Sequence, residues 1–230
     1  PKTDFEINAL GTLNALEVAR LNDATFILCS TNKVYGGNVN KIPVKENGKR
    51  YRFTDERYKK GIPEDFQIDL CEHSPYGCSK LAADLYTQDY AHCYGLKTGV
   101  FRLSCVYGER QFGTEDQGWL SWFVIATLMD KPITIYGNGK QVRDVLYVRN
   151  LVEAFDRFIN HNVKREVFNI GGGPQNTVSL LEFLDLLREF TGRNLKVSFS
   201  EWRSADQKVY ISDISKAKNS LDWEPKATLI

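Results

Sequence analysis

The sequence predicts an α/β protein with a mainly parallel sheet, and three observations point there. Short apolar runs without polar alternation, residues 25–30 the clearest, read as strands buried on both faces. Segments with apolar residues at helical spacing, such as 79–94 with Leu81, Ala82, Leu85 and Tyr86 on one face, read as helices. The two kinds of segment alternate along the chain, as βαβ units require.

In order, 7–21 is the first helix and 25–30 the first strand. Helix 79–94 stops at Gly95, a residue that readily enters the left-handed region of a helix end. Strand 100–103, helix 119–129, strand 133–136, a turn at Gly137-Asn138-Gly139 and strand 142–148 follow. Helix 151–159 precedes strand 166–170, which ends in three glycines. We read these as a turn, because neither Gly-x-Gly-x-x-Gly spacing nor a Walker lysine follows. Helix 180–190, stopped by Gly192, and the short strands 195–199 and 209–211 complete the pattern. Residues 36–72 have no clear period, and a loop that long inside a compact domain is expected to be functional or mobile.

The chain has 230 residues, 42% hydrophobic and 26% charged, ordinary for a soluble globular protein. Thirty basic against 29 acidic residues leave a net charge of +1. That balance calls for neither nucleic acid nor a membrane surface as partner. No apolar run approaches the roughly 20 residues that cross a bilayer, and no secretory signal is seen. Five cysteines, odd in number and without a Cys-x-x-Cys pair, indicate no disulfide framework and no zinc site. A reducing, cytoplasmic location fits. Pro1 in place of Met, and an opening that runs straight into a helix, suggest a piece of a longer protein.

The chemistry begins at Tyr76-Gly-Cys-Ser-Lys80. Residues four apart on a helix share a face, so the phenol and the ammonium can meet in one site. A phenol titrates near pH 10, and a cation about 4–6 Å away favours the phenolate. Such a pair can shuttle a proton to or from an alcohol. Alone, though, the motif is more simply a surface Tyr and Lys. A second motif changes this. Strand 25–30 runs into Thr31-Asn32-Lys33-Val34-Tyr35-Gly36. Strand carboxyl ends face the ligand crevice of a parallel sheet, so Thr31 can donate to a substrate oxygen while Tyr76 takes its proton. The plainer reading of Thr31 is a turn or helix cap. The three features together are much rarer than any one.

Ser30-Thr31-x-x-Val34-Tyr35-Gly36 followed by Tyr76-x-x-x-Lys80 resembles the catalytic set of the extended short-chain dehydrogenase/reductase family, the NAD-dependent epimerases and dehydratases. Further family marks follow in order: Asn8-x-x-Gly11-Thr12; Arg102 before Val106-Tyr107-Gly108; Val142-Arg143-Asp144-Val145; Phe168-Asn169-Ile170-Gly171-Gly172; and Arg203-x-Ala205-Asp206. Within the family, the runs 30–36, 73–80 and 110–119, with the 36–72 insertion, are similar to the branch that inverts C2 of a CDP-linked dideoxyhexose.

The resemblance implies a partial Rossmann-type doubly wound parallel sheet, its N-terminal nucleotide-binding half missing, with a smaller C-terminal substrate domain. Residues 1–107 would be the remaining part of the NAD-binding domain, to which strand 166–170 returns. Residues 108–230 would mainly bind the nucleotide-sugar substrate. Tyr76 would be the acid/base, Lys80 would depress its pKa and hold the nicotinamide ribose, and Thr31 would polarise the substrate oxygen. Asn8, Ser30 and Leu103 would lie at the cofactor with Tyr76 and Lys80. Asn32, Lys33, Arg110, Gln117, Gly118, Trp119 and Tyr136 would line the substrate pocket. Arg143 and Arg203 would grip the diphosphate, for which guanidinium forks are suited. Their plainer reading is surface or ion-paired arginines, with Asp144 and Asp206 adjacent, and Trp119 and Tyr136 could equally be core aromatics. The glycine-rich turn for the NAD pyrophosphate is expected before Pro1, so these 230 residues alone are expected to bind NAD poorly.

Competing readings stay open. A 4,6-dehydratase of the family resembles Thr-Asp-Glu at this strand end. Asn32 and Lys33 cannot supply those carboxylates. A sugar-nucleotide 4-epimerase or a reductase is the nearer alternative, and a non-catalytic binding protein is another. Helix 79–94 matches a contributor to the family's dimer interface, so a homo-oligomer is expected by analogy.

Overall fold

The computed structural model describes residues 1–203 and 206–229. Three strands, β1 (Phe26–Thr31), β4 (Thr98–Leu103) and β8 (Arg165–Ile170), form an all-parallel sheet in the order β1-β4-β8. Their apolar runs match burial on both faces. The register sets Ser30 beside Arg102 and Arg102 beside Asn169, so three polar side chains stand level at the carboxyl edge. This is the Rossmann-type sheet the sequence predicts.

Helices cover the sheet. A continuous helical run comprises α1 (Lys2–Asp4), a π-helical segment Phe5–Leu10 and α2 (Gly11–Leu21). The long helix α3 (Pro75–Tyr94) starts four residues before the predicted position, because Ser74 accepts from the Gly77 amide and Pro75 suits a first-turn position. Tyr76 therefore sits in the first turn of α3. On the other side Phe101, Phe158, Phe168, Ile170 and Trp223 form a fully buried cluster, to which α5 (Val148–Asn160) contributes Phe158.

A second region follows. The strand β7 (Val142–Tyr147) pairs with β5 (Cys105–Tyr107), β11 (Val209–Tyr210) and, antiparallel, β9 (Thr177–Ser179). Beside these, β6 (Ile133–Tyr136) pairs with β10 (Val197–Ser200). The helices α4 (Trp119–Leu128) and α6 (Leu180–Thr191) pack Phe123, Phe183 and Leu187 against Ile133, Ile135 and Val145. A last helix, α7 (Ser215–Leu221), lies on the first region.

The 36–72 insertion is not the unstructured loop that its lack of period suggests. It holds a hairpin of β2 (Val44–Asn47) and β3 (Arg50–Phe53), whose Tyr51 packs with Val142 and Val209. Arg50 forks onto Glu182 through Nε and Nη2, each at 2.6 Å. Val39, Ile42 and Ile62 cluster with Tyr35 and Tyr210. Long-range packing, which local periodicity does not record, orders the segment.

Candidate active site at the strand ends

Two cavities open at the carboxyl edge of β1. The first, of about 390 Å³, is lined by Cys29, Ser30, Thr31, Tyr76, Lys80, Leu103 and Val106, and by Gln117, Gly118 and Trp119 from the far side. Thr31 ends β1 and caps the 3-10 helix Asn32–Lys41, its hydroxyl accepting from the Lys33 amide at 3.2 Å. The cap reading is thus correct; the same hydroxyl donates to Asn32 Oδ1 at 3.3 Å, and the Tyr76 phenol lines the same cavity. Lys80 follows one turn along α3 on the same face.

The electrostatics depart from the sequence-based expectation. Partial burial pushes the Tyr76 phenol above its ordinary value, and the neighbouring Thr31 hydroxyl offsets this only in part. Lys80 is not among the groups acting on it, so the expected depression of Tyr76 by Lys80 does not occur in this structure. The Lys80 ammonium is itself lowered by burial, and the charges that counter this are those of Cys29 and Asp84. A further cation beside the phenol would be needed to bring it toward neutrality.

The second cavity, of about 330 Å³, is lined by Asn32, Lys33, Thr134, Tyr136, Gln141, Arg143, Arg203 and Asp206, with Glu115 and Asp116 at its edge. Cys105, Gln117, Gly118 and Trp119 line both cavities, so the two adjoin along one wall. Gly118 makes that wall possible: its φ of 74° turns the chain into α4 and sends Trp119 inward. Lys33 Nζ and Arg143 Nη2 meet the same Asp206 oxygen, at 3.3 and 2.7 Å. Burial lowers the Lys33 pKa, Arg143 lowers it further, and Asp206 works against both. Asp206 is held below the usual carboxylate range because Arg143 and Lys33 outweigh its burial. Arg203 lies 4.0 Å over the Tyr136 ring and reaches Asp116 at 3.0 Å.

Not every expected residue lines a cavity. Arg110 is exposed, in a left-handed conformation (φ 66°), and lines neither one. Its position next to the expected pocket run does not bring it in, because the chain turns outward there. Asn8 also lies outside both; its amide donates to Ser79 Oγ at 3.0 Å and so braces α3. Ser30 lines the first cavity, but its hydroxyl is committed to Asp84 at 2.7 Å. Trp119 is wall and core at once, edge-on to Phe123 and Phe183 with its indole N–H on Cys105. In the run Arg203-x-Ala205-Asp206, Ala205 lies outside the described residues. The sequence reading missed Glu115, Asp116 and the ligand-facing role of Asp206. Asp206 close to Arg203 in the chain, and Glu115-Asp116 within the 110–119 run, were the available signal.

Residues 1–171 match the model of the NAD dependent epimerase/dehydratase family, and the chain belongs to that family. It is 43% identical to a CDP-paratose 2-epimerase of Salmonella typhi, over 99% of this chain and 69% of that protein. It is 30% identical to a UDP-glucuronate 4-epimerase of Thermodesulfobacterium geofontis, over 100% of this chain and 63% of that protein. Among solved structures, a UDP-glucose 4-epimerase of Thermotoga maritima with UDP-glucose superposes with a TM-score of 0.81 at 31% identity. That match covers 100% of this chain and 67% of the other. The chain thus spans about two thirds of these relatives' lengths.

Proposed function

We propose that the protein is an NAD-dependent nucleotide-sugar epimerase that inverts C2 of a CDP-linked 3,6-dideoxyhexose. Thr31, Tyr76 and Lys80 line one cavity that adjoins the Lys33–Arg143 cavity, and this convergence carries the reading. The first cavity suits the nicotinamide end of NAD: Leu103 and Val106 are apolar, and Tyr76 and Lys80 offer a hydroxyl and an ammonium to a ribose. Bound NAD would supply hydride acceptance and return.

This chain's residues would do the rest. Thr31 holds the reacting oxygen, and Tyr76 takes its proton as the carbon is oxidised. After the keto-sugar turns over, Tyr76 returns the proton to the same oxygen. The positive charge of oxidised NAD would stand near Tyr76 and favour its phenolate. Arg143, Lys33 and Arg203 hold the diphosphate, with Asn32, Gln117, Gly118, Trp119 and Tyr136 around nucleotide and sugar. The choice of C2 and of CDP rests on the 43% identity to the CDP-paratose 2-epimerase, against 30% and 31% to the UDP-sugar 4-epimerases.

The test uses the full-length protein with NAD⁺ and CDP-paratose, the C2 configuration being read by NMR. Inversion at C2 is expected, and inversion only at C4 of UDP-sugars would overturn the reading. Tyr76→Phe should lower kcat by roughly 10²–10⁴-fold, the usual contribution of a positioned acid/base, while CDP still binds.

Residues 1–107 with β8 are taken as the cofactor side and 108–230 as mainly the substrate side. Leu85 and Tyr86 on α3, with Val18 and Leu21 on α2, are exposed apolar side chains that support a homo-oligomer. Five free cysteines support action in the reducing cytoplasm. Among the described residues, no helix is long and apolar enough to cross a membrane.

A further inference from the structure

We infer that Lys33 determines which sugar carbon reacts, by drawing the sugar-linked phosphate to within one turn of the catalytic hydroxyls. The inference rests on the C2 reading above and adds a specificity-determining residue to it.

Lys33 and Thr31 belong to one rigid turn, since the Lys33 amide donates to Thr31 Oγ1 at 3.2 Å. Their side chains part there. Thr31 lines the first cavity and Lys33 the second, and the two cavities share the wall of Cys105, Gln117, Gly118 and Trp119. The ammonium is thus the cation nearest in the chain to the reacting oxygen's partner. It is only 33% exposed and shares a single carboxylate oxygen with Arg143. Two cations on one carboxylate leave a local surplus of positive charge on that wall, with Glu115 and the Arg203-paired Asp116 at the cavity's edge, and a diphosphate would complete it.

The chemistry of the sugar turns that charge into regiochemistry. In a nucleotide sugar the phosphate is bonded through oxygen to C1. C2 is bonded directly to C1, whereas C4 lies across the ring. A phosphate held far from Thr31 and Tyr76 presents the far side of the ring, and hence C4, to them. A phosphate held beside Thr31 presents C2. Neither Asn32, whose amide donates to Gln207 at 3.4 Å, nor Gln117 carries the charge to do this. Arg143 alone fixes the phosphate to β7, not to the turn that bears the catalytic hydroxyl.

The experiment compares the full-length enzyme with its Lys33→Met and Lys33→Arg variants, on CDP-paratose with NAD⁺ and in CDP titrations. Lys33→Met should lower kcat for C2 inversion by roughly 100-fold, the loss expected from an ångström-scale misplacement of the reacting carbon. Its CDP affinity should fall by about tenfold or less, the scale of one charge-assisted hydrogen bond. Lys33→Arg, which keeps the charge on the same turn, should recover most of the kcat. If the unsubstituted enzyme inverts C2 and Lys33→Met keeps kcat within about threefold, on the general scale of surface substitutions, the inference fails and the function stands. The inference fails equally, with the function intact, if Lys33→Arg is as slow as Lys33→Met. If the unsubstituted enzyme does not invert C2, function and inference fall together.

Discussion

Two arginine–carboxylate pairs stand in the two regions, Arg102 near the carboxyl end of β4 and Arg143 near the amino end of β7, and they are built for different ends. Arg102 and Asp84 are 4% and 0% exposed, and every acceptor of Asp84 is used. It receives Arg102 Nε at 3.0 Å and Nη2 at 3.2 Å, Ser30 at 2.7 Å and Gln88 at 2.7 Å. Arg102 also donates to Tyr35 at 3.2 Å and to the Glu64 carbonyl at 2.9 Å, and its charge lies over the Tyr35 ring. Charge there is balanced and sealed. Arg143 and Asp206 form the opposite case: Asp206 is shared with Lys33, it is 20% exposed, and all three face a cavity. One pair joins strand ends to α3 below the candidate active site; the other shares one carboxylate between two cations where a ligand can meet them. An ion pair in this molecule therefore has to be judged by the saturation of its partners rather than by its distance.

Breaking the sealed pair should have the largest effect on stability. Asp84→Ala leaves Arg102 charged and unpaired, and urea unfolding should show a loss of about 3–5 kcal/mol. An Asp84→Leu, Arg102→Met double variant should recover much of it, because no buried charge then remains. Equal losses in both would mean that packing around α3, not charge, carries the effect.

The open pair should respond in binding instead. Arg143→Met should weaken CDP by roughly 10- to 100-fold, equivalent to about 1.5–3 kcal/mol for hydrogen bonds to a charged group. The unfolding midpoint should move little, and a large shift would place Arg143 with Arg102 as architecture. The smallest effect has the opposite sign. Asp206→Asn releases both cations and should tighten CDP by roughly threefold to fivefold, on the scale of a partly exposed ion pair. Calorimetry across pH sharpens the point. Lys33 has a lowered pKa in the free protein, and a bound phosphate raises it again. Binding is therefore fully supported below the free value and lost as pH rises through the bound one, a fall that Lys33→Met should abolish.

The candidate catalytic cavity was legible because its motifs are local. Tyr76 and Lys80 are one helical turn apart, and Thr31 follows a strand whose apolar run marks its carboxyl end. The fold class was legible for the same reason, as β1, β4, β8 and the helices each carry their own period. The hairpin β2–β3 went unread although Asn47-Gly48 sits at its turn, because its strands alternate polar and apolar residues too weakly to register. The short strand β9 and helix α7 lack length enough for any period.

Sequence alone determined the family and the parallel sheet, and it singled out the phenol, ammonium and threonine hydroxyl as candidates, since each motif is built from residues within a few positions of one another. Tertiary structure decided the rest. Only folding brings Asp206 to Arg143 and Lys33, turns Arg110 out into solvent and leaves Tyr76 with a raised rather than a depressed pKa. Those outcomes depend on burial and on charges from distant segments, and burial is a property of the packed chain that no local spacing encodes.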